Sequence, residues 1–547
     1  MIELADLLRA TGGVLYGQAH AARFSSFLYD TRLLPAPAGQ DGIGPGVAPI
    51  FVAVKTEKGD GHDYIADAIA RGAGGVLCQW LPDGVPPGVT CVIVPDTRAA
   101  LLAYARWALQ RPNLTAVGIT GSVGKTTAKE LIAAVLAAGG RQVFHNRGSI
   151  NGRYGLSIAA GELESRHDLA VLELAADSFD EIRDLASLTR PQVGVVTAIG
   201  EAHLATFGSL AAVAEEKGRL LEALPSDGLA VLNADDAHVL ALASRTRAQV
   251  LTVGAHPQAD LRIERLHADE NGLLCSFSDS RGWLAQRLGV QNHGRAWPEI
   301  GNHPAGTAPN DFSASGALTI RSRLLGPHHA PLLLAAVAVG AWFGLPLAGI
   351  ATTLAGFEPL PGHLRPLAGL HGALLLDDTV NASPASLRAA LDTLALFRDR
   401  LRVAVLGDMW DLGAYEAEAH RQAGRQAAGV ADWLLVKGQR AQEIAAGAED
   451  AGMPPGRIFR AYTDADIVRF VEDLVRYAPQ QHVTEDAHPL PDSRQARPGD
   501  RPEPYSGHLA GSPVTRSPGH PVILLKADRP ARMERIVAAL LAEPERA

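Results

Sequence analysis

The sequence predicts an α/β protein built from three domains. The chain has 547 residues, which is too long for one hydrophobic core and fits about three domains of ordinary size. Apolar strand-like runs alternate with helical runs in its central and C-terminal parts, a pattern that favours parallel sheets with helices on both faces. The third observation is a glycine-rich turn between a strand and a helix at 118–127, which is typical of a phosphate-binding loop.

Composition narrows the class of protein. The hydrophobic fraction is 47% and the charged fraction 20%, as in ordinary water-soluble domains. The net charge of −9 argues against nucleic acid as a partner, although a local site still binds an anionic ligand. The three cysteines lack metal-ligand spacing, which predicts buried thiols in a reducing compartment. No signal-peptide pattern opens the sequence, so we expect a cytoplasmic location.

Residues 1–112 are predicted to form a small α/β domain. Helical patterns and short apolar strand-like runs alternate through it. Predicted helices cover 2–10 and 98–110, and predicted strands cover 25–30, 50–54, 73–78 and 90–94. Asp30, Thr31 and Arg32 follow the first of these strands.

Residues 113–325 are predicted to form the nucleotide-binding domain. Glycines let backbone N–H groups converge on a phosphate, and the helix that follows adds its partial positive charge. Lys125 is expected to reach the terminal phosphates, and the Thr126 hydroxyl to bind Mg²⁺. The usual spacing would put the first glycine at the position of Ile119. The expected loop residues are Gly121, Ser122, Gly124, Lys125, Thr126 and Thr127.

Three more polar residues of this domain are candidates, each with a structural alternative. Glu173 ends an apolar strand, where a carboxylate either holds Mg²⁺ or forms a salt bridge. His203 follows the next strand and either binds a second metal or a phosphate, or is a hydrogen-bonded loop residue. Lys217 lies on a helix beside acidic neighbours and, taken alone, reads as a solvated side chain.

Residues 326–547 are predicted to form a second doubly wound α/β domain. Asp378 and Asn381 follow a strand, where they either orient a ribose, a phosphate or an amine, or form an Asx turn. Lys526 and Arg529 follow the last strand and either hold a substrate carboxylate or form surface ion pairs.

Three stretches interrupt the pattern. Residues 330–357 contain no charged side chain, but the break at 344–346 favours a buried helix pair over a membrane span. Residues 291–310 are predicted to form an inserted loop, and residues 480–521, rich in Pro, Asp, Gly and Ser, a disordered insertion.

These motifs together resemble the Mur ligase family over nearly the whole chain. Motifs that follow one another in a fixed order are far more specific than any of them alone. The matching stretches are 30–65, 118–130, 190–218, 233–236, 356–364, 377–384, 403–413 and 526–534. The form of the P-loop in this family also accounts for the displaced first glycine.

The resemblance implies a three-domain ligase that uses ATP and Mg²⁺. The implied reaction joins D-Ala-D-Ala to a UDP-MurNAc-tripeptide through an acyl phosphate, in peptidoglycan synthesis. Lys125, His203 and a carbamylated Lys217 would be catalytic, with Thr126, Glu173, His203 and Lys217 around the metals. The remaining implied contacts are Asp30, Thr31, Arg32, Asn151, Lys526 and Arg529 for substrates, and His363, Asp378 and Asn381 for the nucleotide. We expect a cytoplasmic monomer with no membrane insertion.

The chain departs from the family pattern on the side of the third domain. His363 stands where the family usually has Arg, and Val380 and Ser383 replace a Tyr and an Asn. Both Asn of the adenine-contacting segment are absent from 328–332. Two alternatives therefore stay open: a ligase of this fold with another acceptor or amine, and a nucleotide-binding protein with reduced turnover.

Overall fold

The computed structural model describes residues 1–34, 47–56, 59–81, 88–148, 151–288, 318–477 and 519–542. Within these ranges the chain folds into three successive α/β units, as predicted. The loop expected at 291–310 lies outside the described residues. So does most of the insertion expected at 480–521, but its last three residues do not: they belong to the strand Gly519–Lys526, which extends the apolar run at 522–525.

The N-terminal unit contains a five-stranded sheet that is parallel except at one edge. In sheet order its strands are Val14–Tyr16, Thr90–Ile93, Gly75–Cys78, Ile50–Val52 and Phe27–Leu28. Its α-helices are Leu4–Thr11, Ile65–Ala70 and Thr97–Leu109. The two short antiparallel pairs are Ile2–Glu3 with Arg23–Phe24, and Lys55–Thr56 with Gly59–Asp60. Cys78 and Cys91 are buried free thiols in this sheet, as is Cys275 in the next one, as predicted.

The central unit contains a nine-stranded sheet whose first seven strands are parallel and whose last three strands pair antiparallel with one another in sequence. In sheet order the strands are Val143–His145, Leu169–Glu173, Thr115–Thr120, Val193–Val196, Leu229–Asn233, Gln249–Gly254, Leu261–Asp269, Gly272–Asp279 and Leu318–Ser322. The helices that precede residue 325 are Lys125–Ala138, Arg153–Ala159, Glu181–Thr189, Leu204–Phe207, Leu210–Glu222, Ala237–Ala241 and Trp283–Leu288. The strand before the phosphate loop thus lies between two parallel neighbours, and the carboxyl ends of all three meet at one edge.

The apolar stretch after residue 325 forms two helices, Ala330–Trp342 and Leu347–Gly356. Gly344, at φ 78°, and Pro346 separate them. Both helices share a hydrophobic core with the helix Lys125–Ala138, which confirms the interpretation as a buried pair. None of the described helices is long and apolar enough to cross a membrane. Because the pair completes the central core, we propose a domain boundary near residue 364 instead of 325.

The C-terminal unit contains a six-stranded sheet, parallel except for its first strand. In sheet order the strands are Arg365–Ala368, Leu374–Asp378, Gly519–Lys526, Arg400–Leu406, Trp433–Val436 and Ile458–Arg460. Its α-helices are Pro384–Leu394, Glu416–Ala428, Ala441–Asp450, Asp464–Tyr477 and Glu534–Leu540. The strands that end at Asp378 and Lys526 are parallel neighbours in the sheet. Both side chains therefore lie at the edge formed by the carboxyl ends of the strands.

Candidate active site

A cavity of about 820 Å³ lies between the central and C-terminal units. Residues from the carboxyl ends of strands in both sheets line it, as expected for doubly wound domains. The cavity therefore brings together most of the predicted site residues, although they lie hundreds of positions apart in the chain. Those that line it are Ser122, Gly124, Lys125, Thr126, Thr127, Asn151, Glu173, His203, His363, Asp378, Asn381, Lys526 and Arg529.

The phosphate loop has the backbone that its glycines predict. Gly121 and Gly124 have φ values of 145° and 83°, which side chains other than hydrogen disfavour. A Cβ at Gly121 would lie 2.1 Å from the Thr197 Oγ1 atom. Gly118, by contrast, lies inside the strand, where a Cβ would approach the Leu220 side chain at 3.0 Å. The displaced glycine is thus a packing residue of the sheet.

Glu173 lies beside the first turn of the phosphate-loop helix. Its Oε2 atom accepts a hydrogen bond of 2.8 Å from the Thr126 hydroxyl, and its Oε1 atom one of 2.6 Å from the Asn151 amide. The side chain is buried and has no ion-pair partner among the described residues, which disfavours the salt-bridge alternative. Asn151 was predicted to bind substrate, and its contact with the carboxylate supports a role in orienting Glu173.

Two residues that the sequence analysis missed hold this part of the site in place. The Asn146 Oδ1 atom accepts a hydrogen bond of 2.9 Å from the Glu173 backbone N–H. Lys129 is fully buried and donates to the carbonyl oxygens of Asn146 and Gly148. Lys129 is the fifth residue of the helix Lys125–Ala138. Its sequence neighbours did not predict this structural role, because its hydrogen-bond partners lie on a loop about twenty residues later.

Both lysines predicted to be catalytic, Lys125 and Lys217, have lowered pKa values. Lys125 Nζ donates to the Ser122 carbonyl oxygen at 3.2 Å, and desolvation lowers its pKa, while nearby Glu173 opposes that shift. Lys217 is buried, so its reading as a solvated side chain is wrong. Burial, and then the charge of Lys125, lower the pKa of Lys217 to about 7. Its Nζ atom donates to the Ala176 carbonyl oxygen at 3.4 Å.

His203 connects the central unit to the C-terminal one. It lies in the loop after the strand Val193–Val196 with a φ of 56°. Its Nδ1 atom is 2.6 Å from the Asp411 Oδ2 atom. The backbone N–H of Ala205 also donates to the Asp411 carbonyl oxygen at 3.2 Å. His203 thus makes the hydrogen bond of the structural alternative, and its role as a metal ligand stays a prediction. Among the described residues its Nε2 atom has no hydrogen-bond partner.

The C-terminal wall of the cleft is centred on Lys526. This side chain is 1% exposed, so it is not a surface residue. Its Nζ atom donates to Asp378 Oδ2 at 2.5 Å and to the Asn381 carbonyl oxygen at 3.1 Å. Asp528 nearby is desolvated, which raises the pKa of its carboxyl group, while Arg529 is exposed.

Three histidines on the same side of the cleft are held neutral. Desolvation lowers the pKa of His363, of His328 and of His329, the last to about 4. His329 Nδ1 lies 2.7 Å from the Leu325 carbonyl oxygen. His328 Nδ1 is buried and has no hydrogen-bond partner among the described residues. Neutral imidazoles of this kind contact a ligand without adding charge.

The structure does not bring Asp30, Thr31 and Arg32 to this cavity. They form the start of a short 3-10 helix in the N-terminal unit. Arg32 pairs with Asp30 at 2.6 Å, and this guanidinium lowers the pKa of the Asp30 carboxyl. Their predicted role in binding substrate therefore belongs to a separate surface of the protein.

The oxygen atoms near the phosphate loop fit Mg²⁺. Among the described residues there is no group of three or more His, Cys, Asp and Glu that would form a complete metal cage. Mg²⁺ does not require one, because it is usually bound through one or two carboxylates together with phosphate oxygens and water. Thr126 and Glu173 supply a hydroxyl and a carboxylate beside the phosphate loop.

The fold and the cleft define a P-loop nucleotide-binding protein of the α/β class. The Mur ligase middle-domain model matches residues 119–340, and the model described as "Mur ligase, glutamate ligase domain" matches residues 365–488. The chain belongs to the Mur ligase family.

Curated relatives and solved structures agree with this assignment. UDP-N-acetylmuramoyl-tripeptide–D-alanyl-D-alanine ligase of Escherichia coli is 33% identical over 72% of this chain and 79% of its own. The protein of the same name from Mycobacterium bovis is 32% identical over 78% and 81%. MurF of Acinetobacter baumannii has the same fold, with a TM-score of 0.72, 22% identity and 98% of each chain covered. MurF of Thermotoga maritima, solved with ADP, has a TM-score of 0.67 at 22% identity, over 94% of this chain and 96% of its own.

Proposed function

We propose that this chain is an ATP-dependent ligase that joins D-Ala-D-Ala to a UDP-MurNAc-tripeptide in peptidoglycan precursor synthesis. The hydrogen-bonded pair Thr126–Glu173 beside the phosphate loop is the main support for this proposal. The pair faces a cleft whose other wall belongs to the C-terminal α/β unit. The curated relatives that match over more than two thirds of the chain bear the name of this activity.

The reaction proceeds in two transfers. An oxygen of the tripeptide carboxylate attacks the γ-phosphorus of ATP, ADP leaves, and an acyl phosphate forms. The amine of the dipeptide then attacks the acyl carbon, phosphate leaves, and the amine nitrogen gives up a proton. Lys125 lies at the start of the helix that follows the loop, where its charge offsets the charge that develops on the transferred phosphoryl oxygens.

Thr126 and Glu173 would hold the Mg²⁺ that accompanies ATP. When bound, this ion neutralises phosphate charge and fixes the orientation of the transferred group. Asn151 and Asn146 keep the Glu173 carboxylate and backbone in place. His203 and Lys217 would support a second Mg²⁺.

Lys217 supports that role only as a carbamate. A pKa of about 7 leaves much of this amine neutral near neutral pH, and a neutral amine attacks CO₂. The nitrogen forms a bond to the carbon of CO₂ and loses a proton to solvent, so that the buried neutral amine becomes an anion with two oxygen ligands. Such a group is stable at a buried site only beside positive charge, and Lys125 is the cation whose charge lowers the pKa of Lys217.

The C-terminal wall would bind the incoming dipeptide and part of the nucleotide. Lys526 and Arg529 would hold a carboxylate of the substrate, and His363, Asp378 and Asn381 would contact ATP. The segment 30–32, in which Arg32 is exposed, Asp30 half-buried and Thr31 buried, would bind the UDP moiety. Closure of the cleft excludes water, which otherwise hydrolyses an acyl phosphate. We further propose that the protein acts as a cytoplasmic monomer.

A ligase of the same fold with another amine is the second candidate. His363 favours it, because it stands where the family usually has Arg and burial lowers its pKa. Asp528 also favours it, because desolvation raises the pKa of this carboxyl group at the cleft. The experiment that separates the two measures ADP release with a panel of UDP-muramyl peptides and amines, followed by the mass of the product. Stimulation by D-Ala-D-Ala alone supports the first proposal, and stimulation by another amine supports the second.

A further inference from the structure

We propose that Asp411 is a positioning residue for His203, and that through this contact the C-terminal unit orients the imidazole only when the cleft is closed. The inference rests on the proposed function, because it assigns a role within the same site. Asp411 lies in the loop after the strand Arg400–Leu406, and it was not among the predicted site residues.

The contact is built from both side chains and backbone. His203 Nδ1 lies 2.6 Å from Asp411 Oδ2, across 208 positions of sequence. The Ala205 backbone N–H donates to the Asp411 carbonyl oxygen at 3.2 Å. Gly413, at φ 58°, leaves room for this approach, since a Cβ there would lie 3.1 Å from the Ala205 Cα atom. Two segments of different units are thus held together at several points.

The backbone at both ends of the contact is unusual. His203 has a φ of 56° and Asp411 a φ of 63°, a region that residues other than glycine seldom adopt. Such conformations cost free energy and persist where surrounding contacts hold them. Here both residues line the cleft and their side chains are in contact.

A carboxylate on one ring nitrogen determines what the other nitrogen does. An ionised carboxylate only accepts hydrogen bonds, so in a neutral imidazole it favours the tautomer with the proton on Nδ1 and the lone pair on Nε2. Carboxylates orient metal-binding histidines in this way in many proteins. Because the carboxylate comes from the C-terminal unit, an open cleft leaves the His203 ring free to change tautomer and rotamer.

A simple surface ion pair is the rival explanation. The two side chains are 39% and 40% exposed, and exposed pairs contribute little to stability. A matched pair allows a direct comparison: Arg400 Nη1 of the C-terminal unit lies 3.2 Å from Glu270 Oε2 of the central unit, and neither residue lines the cleft. Its removal takes away a cross-unit carboxylate without reaching His203.

The test uses the full-length protein and three variants, Asp411→Asn, Asp411→Gly and the control Glu270→Gln. Glycine keeps the positive φ without strain, so it removes the carboxylate alone. The first readout is the ¹⁵N–¹H spectrum of the histidine rings without nucleotide or metal, with the His203 signal assigned from His203→Gln. The second is the radius of gyration by small-angle scattering, with and without a non-hydrolysable ATP analogue.

The proposal predicts a single Nδ1–H tautomer for His203 in the wild type and in Glu270→Gln, and a mixture in both Asp411 variants. It predicts less compaction in the Asp411 variants. It also predicts a fall in kcat of about 10–100-fold, the range for outer-shell partners of metal ligands, with KM for ATP within about twofold. An unchanged His203 signal in Asp411→Gly, or an equal effect of Glu270→Gln, overturns it. If the wild type lacks ligase activity, the spectra and the scattering still decide this inference.

Discussion

Glu173 accepts a 2.8 Å hydrogen bond from the hydroxyl of Thr126, which lies 47 positions earlier in the chain. The sheet register explains this meeting, because Glu173 pairs with Ile119, next to the end of the strand that leads into the phosphate loop. Parallel neighbours therefore place the carboxylate beside the first turn of the helix, as the order of elements in the sequence requires.

Replacing Glu173 by Gln is expected to weaken the use of Mg²⁺. The amide keeps the size of the side chain but loses the charge that attracts a divalent cation, so we expect kcat to fall about 10²–10³-fold and half-saturation to need more Mg²⁺. ADP release measured across a series of Mg²⁺ concentrations checks this. Thr126→Ser, which retains the hydroxyl, is the control, and an unchanged Mg²⁺ requirement in Glu173→Gln contradicts the assignment.

Replacing Lys125 by Ala is expected to abolish turnover. The variant loses the cation nearest the start of the phosphate-loop helix, and we expect kcat to fall by at least about 10²–10³-fold, the scale of one electrostatic contact in a transition state. Single-turnover measurement of ADP formation checks this, with calorimetry of ATP binding to separate affinity from chemistry. Substantial residual activity at saturating ATP would speak against the proposed mechanism.

Gly121→Ala is expected to destabilise the phosphate loop. The new methyl would lie 2.1 Å from Thr197 Oγ1, at a φ of 145°, and such strain costs about 1–3 kcal/mol of unfolding free energy. Gly349→Ala is the matched control, because nothing lies within 4 Å of its Cβ position and alanine favours its helix. Urea unfolding of both variants checks this, and equal stabilities would show that the loop accommodates a side chain.

Lys217 makes stability depend on pH in a defined window. Its pKa is lowered from 10.5 to about 7, so between these values the unfolded chain binds a proton that the folded chain lacks. Stability therefore rises with pH across this window, with a slope of up to about 1.4 kcal/mol per pH unit. Below about pH 7 the amine is charged in both states and contributes no slope.

Urea unfolding at several pH values, in CO₂-free buffer without metal, measures this effect. Lys217→Met has no titrating group at the position and serves as the reference. The stability of the wild type minus that of Lys217→Met should increase from about pH 7 upward. A difference that is independent of pH would mean that Lys217 keeps its ordinary pKa.

Local patterns predicted much of this site. The phosphate loop and His203 each follow a strand and Glu173 ends one, and the fold brings strand ends to one edge. The break at Gly344 and Pro346 likewise distinguished two buried helices from a membrane span. These features follow from the hydrophobic periodicity of the sequence and from Gly and Pro residues. Both signals depend only on residues within a few positions of one another in the chain.

Other features depend on contacts that no local pattern contains. The burial of Lys217 comes from the packing of its helix on the sheet, while its neighbours in sequence are acidic and suggested solvent. Gly447 lets the helix Ala441–Asp450 pack closely on the helix Glu416–Ala428, since a Cβ at Gly447 would lie 1.9 Å from the Arg421 carbonyl oxygen. The Asp411–His203 contact spans two units and had no signal in either segment.

The product formed by the purified protein tests the proposed ligase activity most directly. The protein is incubated with ATP, Mg²⁺, a UDP-MurNAc-tripeptide and D-Ala-D-Ala, and the nucleotide-linked product is analysed by mass spectrometry. We expect one dipeptide added to the tripeptide carboxylate, with one ADP and one phosphate released for each product. ADP release that D-Ala-D-Ala does not increase, or a UDP-MurNAc-tripeptide of unchanged mass, would contradict the proposed activity.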